Sequence, residues 1–169
     1  MTIEEIKQRV VDYANGYGIF PEIALAQINR ESRFNPNAVG GSGEHGLGQF
    51  MPGTWARFGG GRSFEVDAFD VDYNLTAWGE YMTWLLTRFN GDYVKALQGY
   101  NGGEGNVDRG TVSSAAQRYA SEIIAAAGGM NVPDGSGSPV PISNPQTTDW
   151  KTYALIAAAV FGLLLLSKD

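Results

Sequence analysis

Two carboxylic acids, Glu31 and Glu44, lie on either side of an abrupt change in the character of the chain. Glu31 closes a segment whose apolar residues recur at helical spacing, and a run rich in Asn, Pro and Gly separates it from Glu44. The C-terminal end of a helix disfavours a further negative charge, and burial against a cleft wall also raises the pKa of a carboxyl group. A carboxylic acid that is still protonated near neutral pH can protonate the leaving-group oxygen of a glycosidic bond. The alternative is that Glu31 is a solvated acid in a charged cluster with Arg30 and Arg33.

The composition excludes several other kinds of site. The chain has 169 residues, enough for one domain with a core and some accessory sequence. Its net charge of −6 is spread along the chain and predicts no nucleic-acid partner, because neutralising phosphates needs a basic face. The absence of cysteine excludes disulfides and cysteine nucleophiles. A catalytic triad or a zinc site would have to use the single histidine, His45, and no metal site is predicted.

Apolar periodicity predicts a mainly α-helical domain over residues 1–128. Thr2 and Glu5 form a capping-box pattern in front of the first helix, and Pro21 suits the first turn of the helix that carries Glu31. No segment alternates at period two over a useful length, so five or six helices with glycine-rich connections predict an irregular helical fold. The apolar face of the first helix is predicted to contain Ile3, Ile6, Val10 and Tyr13. The further helices are predicted over 52–58, 72–89, 93–100 and 111–128, and residues 35–50 are predicted to be a loop.

The remaining residues predict a linker and an anchor. Residues 129–149 are rich in Pro, Gly and Ser, which cannot build a core, so a flexible linker is expected. Within the final segment, 150–169, residues 153–166 carry no charge and have aromatic and lysine residues at their ends, which predicts a transmembrane-like helix. Such a helix would rise only about 21 Å, against a hydrocarbon core of about 30 Å, and a helix buried in the protein is therefore the alternative.

Two segments resemble the signature motifs of a known enzyme family, and they occur in the same order as in that family. ESRFNPNAVGGSGEHGLGQFMPGTW (31–55) and ALQGYNGGEGNV (96–107) are similar to the two motifs of the lytic transglycosylase and goose-type lysozyme family, glycoside hydrolase family 23. The resemblance covers roughly residues 15–125. It implies a lysozyme-like helical fold and an enzyme that cuts the glycan strands of peptidoglycan without a metal or a cofactor.

The resemblance also implies a role for each residue that matches the motifs. Glu31 matches the general acid/base, and Ser32 matches the residue that helps to position it. Tyr100 matches a tyrosine whose hydroxyl lies within reach of the acid, and Asn101 matches an asparagine that faces the glycan. In the segment that lines the sugar site, a glutamine amide and backbone groups are expected to hold an N-acetyl group beside an apolar wall. The residues of that segment are Gly46, Leu47, Gln49, Phe50 and Met51.

More than one reaction remains open at this stage. The family reaction cleaves the bond between N-acetylmuramic acid and N-acetylglucosamine with one carboxyl group and forms a 1,6-anhydro product. Hydrolysis with inversion instead needs a second carboxylate about 6.5–9.5 Å from the first. Glu44 is the candidate for it and would make the protein a muramidase; otherwise Glu44 is a surface acid beside His45. A peptidoglycan endopeptidase on the same fold and an inactive glycan-binding module are further alternatives.

The two ends of the chain favour a particular setting. Residues 1–19 carry charges where a secretory signal would have an apolar core. Together with an anchor at 153–166, this favours a bacteriophage enzyme in a virion with an internal membrane, where lipid and other virion proteins would be its partners. It would open the cell wall locally during genome delivery or lysis. The alternative setting is the bacterial inner membrane, with the domain facing the periplasm.

Overall fold

The computed structural model describes residues 1–129 and 132–133, and this part of the chain is mainly helical, as predicted. Isolated β-bridges, and no longer strands, accompany the helices in these residues. The described residues contain eight helices: α1 Ile3–Tyr17, α2 Pro21–Ser32, α3 Pro52–Phe58, α4 Phe64–Asp67, α5 Val71–Arg88, α6 Tyr93–Gly102, α7 Glu104–Asp108 and α8 Ser114–Ala126.

The first helix begins where its capping pattern predicts. Thr2 accepts a hydrogen bond from the backbone of Glu5, the Glu5 side chain accepts one from Thr2, and Gly18 ends the helix at a φ of 67°. Ile6 and Val10 are buried on its inner face, whereas Ile3 is 55% exposed. The predicted apolar face of α1 is therefore buried from Ile6 onward, and Ile3, the first residue of the helix, is not part of the core.

Helix α5 is the centre of the core and contacts α1, α3 and α6. Its N-terminus is capped by Asp70, whose side chain accepts a hydrogen bond from the Tyr73 backbone. Trp78 and Leu85 are completely buried on this helix. Helices α2 and α6 both pack against α8, so the end of α2 that carries Glu31 lies beside residues from distant parts of the chain.

Two short helices, α4 and α7, were not predicted. They contain four and five residues, and a single helical turn shows no apolar period in a sequence. Both follow glycine-containing connections. Helix α4 nevertheless has a role in the fold, because Phe64 at its start stacks on the ring of His45 with the ring centroids 4.2 Å apart.

Residues 35–50 form the expected loop, and His45 holds it together. The backbone of His45 makes β-bridges to Val39 and to Phe50, which folds the loop back upon itself. The His45 ring lies between Phe64 and Phe69, with centroids 4.2 and 4.5 Å away. These contacts make His45 part of the support of the loop.

The start of the predicted linker contacts the helical domain. Val132 packs against the hydrophobic core, and the carbonyl oxygen of Pro133 accepts a hydrogen bond of 3.1 Å from the backbone of Tyr93. The rest of the linker and the anchor segment at 153–166 lie outside the described residues. Among the helices that are described, none has the length and apolar character needed to cross a membrane.

Candidate active site

Glu31 is the residue around which the site is built. It lies in the last turn of α2, immediately before Ser32, and is partly buried. The pKa of Glu31 is raised from 4.5 to about 7, with burial as the largest cause and the charge of Glu44 acting in the same direction. A hydrogen bond from Tyr119 and the charge of Arg30 act in the opposite direction. Near neutral pH the carboxyl group can therefore both donate and accept a proton.

A chain of hydrogen bonds leads from the core to Glu31. The indole Nε1 of Trp78 donates to Oε1 of Gln27 over 3.1 Å, and Nε2 of Gln27 donates to the hydroxyl oxygen of Tyr119 over 3.2 Å. The Tyr119 hydroxyl donates in turn to Oε1 of Glu31. The chain joins α5, α2 and α8, and Trp78 and Gln27 are completely buried.

Tyr119 is a site residue that sequence reasoning missed. It lies 88 residues after Glu31 and in neither of the two motifs. Its only signal in the sequence is its place on the apolar face of α8, among Ala116, Ala120 and Ile123, where a tyrosine carries a hydroxyl group into the core. The packing of α2 against α8 brings that hydroxyl group to the acid.

Ser32 lies next to Glu31 in the sequence but does not hold its carboxyl group. Ser32 is buried, and its hydroxyl group donates to the carbonyl oxygen of Ile28 over 3.2 Å, one turn earlier in α2. The contact that holds the carboxyl group comes instead from Tyr119.

Tyr100 is directed into the site from α6. Its hydroxyl group donates to the carbonyl oxygen of Gly48 over 2.7 Å, and its ring lies 6.3 Å from that of Phe50. Burial, and then the charge of Glu31, raise the pKa of Tyr100 well above its ordinary value, so the phenol stays neutral. Asn101 follows on the exposed end of α6.

The segment 46–49 is held by its backbone against Asn74. The Gly48 backbone donates to Oδ1 of Asn74 over 2.8 Å, and Nδ2 of Asn74 donates to the carbonyl oxygen of Ala68 over 2.7 Å. Gly46 has a φ of 75°, and a β-carbon there would overlap the Ala68 oxygen and Nδ2 of Asn74. Asn74 is completely buried and was not predicted as part of the site.

The prediction that Leu47 lines the sugar site needs correction. Leu47 is 0% exposed, backbone included, and belongs to the hydrophobic core, so neither its side chain nor its backbone is open to a ligand. The apolar residue of this segment is needed to anchor the loop, because the flanking glycines provide no side chain that could pack.

Gln49 occupies the loop in a left-handed conformation, with a φ of 49°. Its Nε2 donates to the carbonyl oxygens of Ala38 and Gly46 over 3.2 and 2.8 Å. Both amide hydrogens are therefore used within the loop, and Oε1 is the part of the side chain left for a ligand. The residue also lines a pocket of about 50 Å³. The other residues of the pocket are Phe50, Met51, Thr54, Tyr81 and Tyr100.

Glu44 lies in the same loop and is partly buried. Its Oε2 accepts a hydrogen bond of 2.9 Å from the backbone of Ser42, which fixes the direction of the side chain. Its charge contributes to the raised pKa of Glu31, so the two carboxyl groups are electrostatically coupled across the loop. The structure thus places Glu31 and Glu44 close enough for the charge of one to affect the pKa of the other.

This arrangement is of the kind that general acid–base catalysis requires, with one acid titrating near neutrality beside a loop in which Glu44 and Gln49 are partly exposed. The sequence matches the family model described as Transglycosylase SLT domain over residues 10–123, and the chain belongs to that family. The family that the two motifs resemble is therefore confirmed.

Relatives and solved structures support the same assignment. Membrane-bound lytic murein transglycosylase D of Escherichia coli (strain K12) is 36% identical over 78 residues, which cover 46% of this chain and 17% of the relative. The structure of an inactive glutamate-to-glutamine mutant of lytic transglycosylase Slt from Pseudomonas aeruginosa has a TM-score of 0.62 at 24% identity, covering 70% of this chain and 22% of that one. The 70-kDa soluble lytic transglycosylase in complex with bulgecin A has a TM-score of 0.64 at 23% identity, covering 73% and 23%. These structures establish the fold, and the chain spans less than a quarter of the length of each of these proteins.

Proposed function

We propose that the domain is a lytic transglycosylase that cuts peptidoglycan glycan strands with Glu31 as its only general acid and base. The observation that carries the proposal is the pKa of Glu31, about 7, in a chain that belongs to the SLT family. A carboxyl group with that pKa is substantially protonated at the start of the reaction and remains a competent base once it has given up its proton.

The reaction needs two proton transfers at one residue. Glu31 protonates the oxygen of the glycosidic bond between N-acetylmuramic acid and N-acetylglucosamine, and the bond between that oxygen and the anomeric carbon breaks. The Glu31 carboxylate then removes the proton of the 6-hydroxyl group of the muramic acid residue. That oxygen bonds to the anomeric carbon, which closes the 1,6-anhydro ring and restores protonated Glu31. No water enters the product.

The surroundings of Glu31 suit both of its protonation states. Burial keeps the proton on the carboxyl group before the bond breaks, and the hydrogen bond from Tyr119 stabilises the carboxylate afterwards. The neutral phenol of Tyr100 holds the Gly48 carbonyl, and with it the loop that would lie along the sugar. Glu31 therefore alternates between acid and base within a site that does not have to rearrange.

The position of Glu44 favours hydrolysis as the second candidate. The Ser42 backbone orients this carboxylate, and its charge acts on Glu31. A second carboxylate fixed near the acid can activate water for attack on the opposite face of the sugar, and the product then has a reducing end. In that case the domain would be a muramidase.

Product analysis on purified sacculi distinguishes the two reactions. The transglycosylase predicts 1,6-anhydro muropeptides by mass spectrometry, with Glu31→Gln inactive and Glu44→Gln retaining the anhydro product. The muramidase predicts reducing ends that Glu44→Gln abolishes. Glu22→Gln is the matched control, because Glu22 is an exposed acid in the first turn of the same helix. Sacculi that Glu31→Gln still degrades would overturn both assignments.

For the setting, the proposal is that residues 153–166 attach the enzyme to a lipid bilayer, in a bacteriophage virion with an internal membrane. The uncharged composition of this segment supports attachment, and Trp150 and Lys168 suit the interfacial regions on either side. Flotation of the full chain with liposomes tests it. A chain ending at Pro133 should stay in the dense fraction, and co-flotation of both proteins would contradict it.

A further inference from the structure

Gln27 is a buried amide with no place in the two motifs. It lies one helical turn before Glu31 on α2 and is 0% exposed, between Trp78 of α5 and Tyr119 of α8. Burying an amide is unfavourable unless its donors and acceptor are paired. Both ends of the Gln27 side chain are paired, one with Trp78 and the other with Tyr119.

The chemistry of the three groups fixes the direction of every hydrogen bond. An indole N–H can only donate, so Trp78 must face the amide oxygen of Gln27. The amide nitrogen of Gln27 then necessarily faces Tyr119 and donates to its hydroxyl oxygen. Since that oxygen already accepts a hydrogen bond there, the single hydroxyl hydrogen of Tyr119 is directed to Oε1 of Glu31.

We propose that Gln27 is a positioning residue for the reaction: held by Trp78, it keeps the Tyr119 hydroxyl group as a permanent donor to Oε1 of Glu31. This inference rests on the proposed role of Glu31 as the acid and base. Without Gln27, the Tyr119 hydroxyl group could rotate away from the carboxyl group, and a carboxyl proton could occupy either oxygen.

Because the Tyr119 hydroxyl group always donates to Oε1, the two oxygens of the Glu31 carboxyl group have different roles. While Oε1 accepts from Tyr119, the proton of the neutral carboxyl group resides on Oε2, because the carbonyl oxygen of a carboxylic acid is the better acceptor. Oε2 is then the oxygen that protonates the glycosidic bond and later recovers a proton from the substrate. Gln27 thereby selects one of two chemically equivalent oxygens, although it touches neither the substrate nor Glu31.

The other groups that act on Glu31 do not change when Gln27 is replaced. They are Arg30 on α2 and Glu44 in the loop, and Tyr100 on α6, on which the charge of Glu31 acts, is likewise unaltered. Only the direction of the Tyr119 hydroxyl hydrogen depends on Gln27. A change in the titration of Glu31 in a folded Gln27 variant therefore reports on that hydroxyl group.

The test measures the pKa of Glu31 directly in the full chain. The side-chain carboxyl carbon of Glu31 is followed by ¹³C NMR as a function of pH, with Glu31→Gln to assign the resonance. We expect Gln27→Met and Tyr119→Phe each to raise the pKa by roughly half to one unit, because the carboxylate loses its donor. The double variant should match Tyr119→Phe alone, since Gln27 acts only through the Tyr119 hydroxyl group. The alkaline limb of the activity profile should move with the pKa in each variant.

Two further variants keep the test decisive. Trp78→Phe removes the indole N–H but keeps an aromatic ring; it frees the Gln27 amide to turn and should raise the pKa of Glu31 in the same direction. This variant replaces Gln27→Met if that protein does not fold. Gln8→Met is the matched control, because Gln8 is exposed on α1 and pairs only with Asp12, and it should leave the titration unchanged.

The result that would overturn the proposal is specific. A folded Gln27→Met protein in which Glu31 has the same pKa as in the original chain would overturn the proposal. So would a shift on replacing Gln27 that is equally large when Tyr119 is already phenylalanine. Full activity of Glu31→Gln would instead overturn the proposed function, and the NMR titration would still measure whether Gln27 orients Tyr119.

Discussion

The phenolic hydroxyl of Tyr119 donates a hydrogen bond to Oε1 of Glu31, although 88 residues separate the two in the chain. Burial and this hydrogen bond act on the pKa of Glu31 in opposite directions, and burial is the larger effect. The balance leaves the carboxyl group near neutrality, which is the range that a residue acting as both acid and base requires.

The pH dependence of wall cleavage should have an alkaline limb set by Glu31. The first step requires the protonated acid, so kcat should fall about tenfold per pH unit above a midpoint near 7. The measurement is the release of soluble muropeptides from purified sacculi between pH 5 and about 9.5. Near-ultraviolet circular dichroism at each pH checks that the protein stays folded. Activity that keeps rising through pH 9 would contradict the assignment of Glu31 as the acid.

Removing the titratable group of Glu31 should stabilise the protein at alkaline pH. The folded state keeps this proton up to about pH 7, whereas the unfolded chain releases it near 4.5. Folding therefore binds a proton between these values, and the stability of the original protein falls as pH rises through that window. We expect Glu31→Gln to raise the free energy of unfolding by about 3 kcal/mol at pH 8 and by little below pH 4.5. Urea denaturation at several pH values measures the difference, and a difference independent of pH would count against a buried, titrating Glu31.

Gly46→Ala should destabilise the domain far more than Gly43→Ala. Both glycines have positive φ values, 75° at Gly46 and 87° at Gly43. An alanine at either position is strained in this conformation, which lowers the free energy of unfolding by about 1–2 kcal/mol. Only at Gly46 would the new methyl group also overlap Ala68 and Asn74, while nothing lies within 4 Å of a β-carbon at Gly43. The expected additional loss at Gly46 is roughly 2–3 kcal/mol, measured by urea denaturation. Equal effects of the two substitutions would mean that the loop can move away from Asn74.

Asn74→Ala should loosen the loop beside Glu31. The buried amide pairs with the Gly48 backbone and the Ala68 carbonyl, and its removal leaves both groups without their partner. We expect a loss of roughly 2–4 kcal/mol in the free energy of unfolding. Amide hydrogen exchange at Gly48 should become faster, because Oδ1 of Asn74 is the acceptor of that N–H group. Asn37→Ala, at an exposed position of the same loop, is the control and should leave the Gly48 exchange rate unchanged.

Interactions between residues close in the sequence are enough to predict much of this fold. The reciprocal pair of Thr2 and Glu5 starts α1 because the backbone groups at a helix end need nearby partners. Pro21 suits the first turn of α2 because it has no N–H group that would need a partner there. The apolar period of α5 predicts its length to within one residue at each end. The motif around Glu31 could likewise be recognised as a site, since its residues are neighbours in the chain.

The packing of the helices determines the contacts of the site that residues close in the sequence do not predict. Trp78, Gln27, Tyr119 and Glu31 form one chain of hydrogen bonds only because α2, α5 and α8 come together in the core, and no local pattern encodes the distance between such helices. The same holds for Leu47, which looks like a ligand contact in the motif but is buried as an anchor for the loop. Hydrogen bonds and burial depend on which helix surfaces pack together. The raised pKa of Glu31 is therefore a property of the folded protein and not of its neighbours in the sequence.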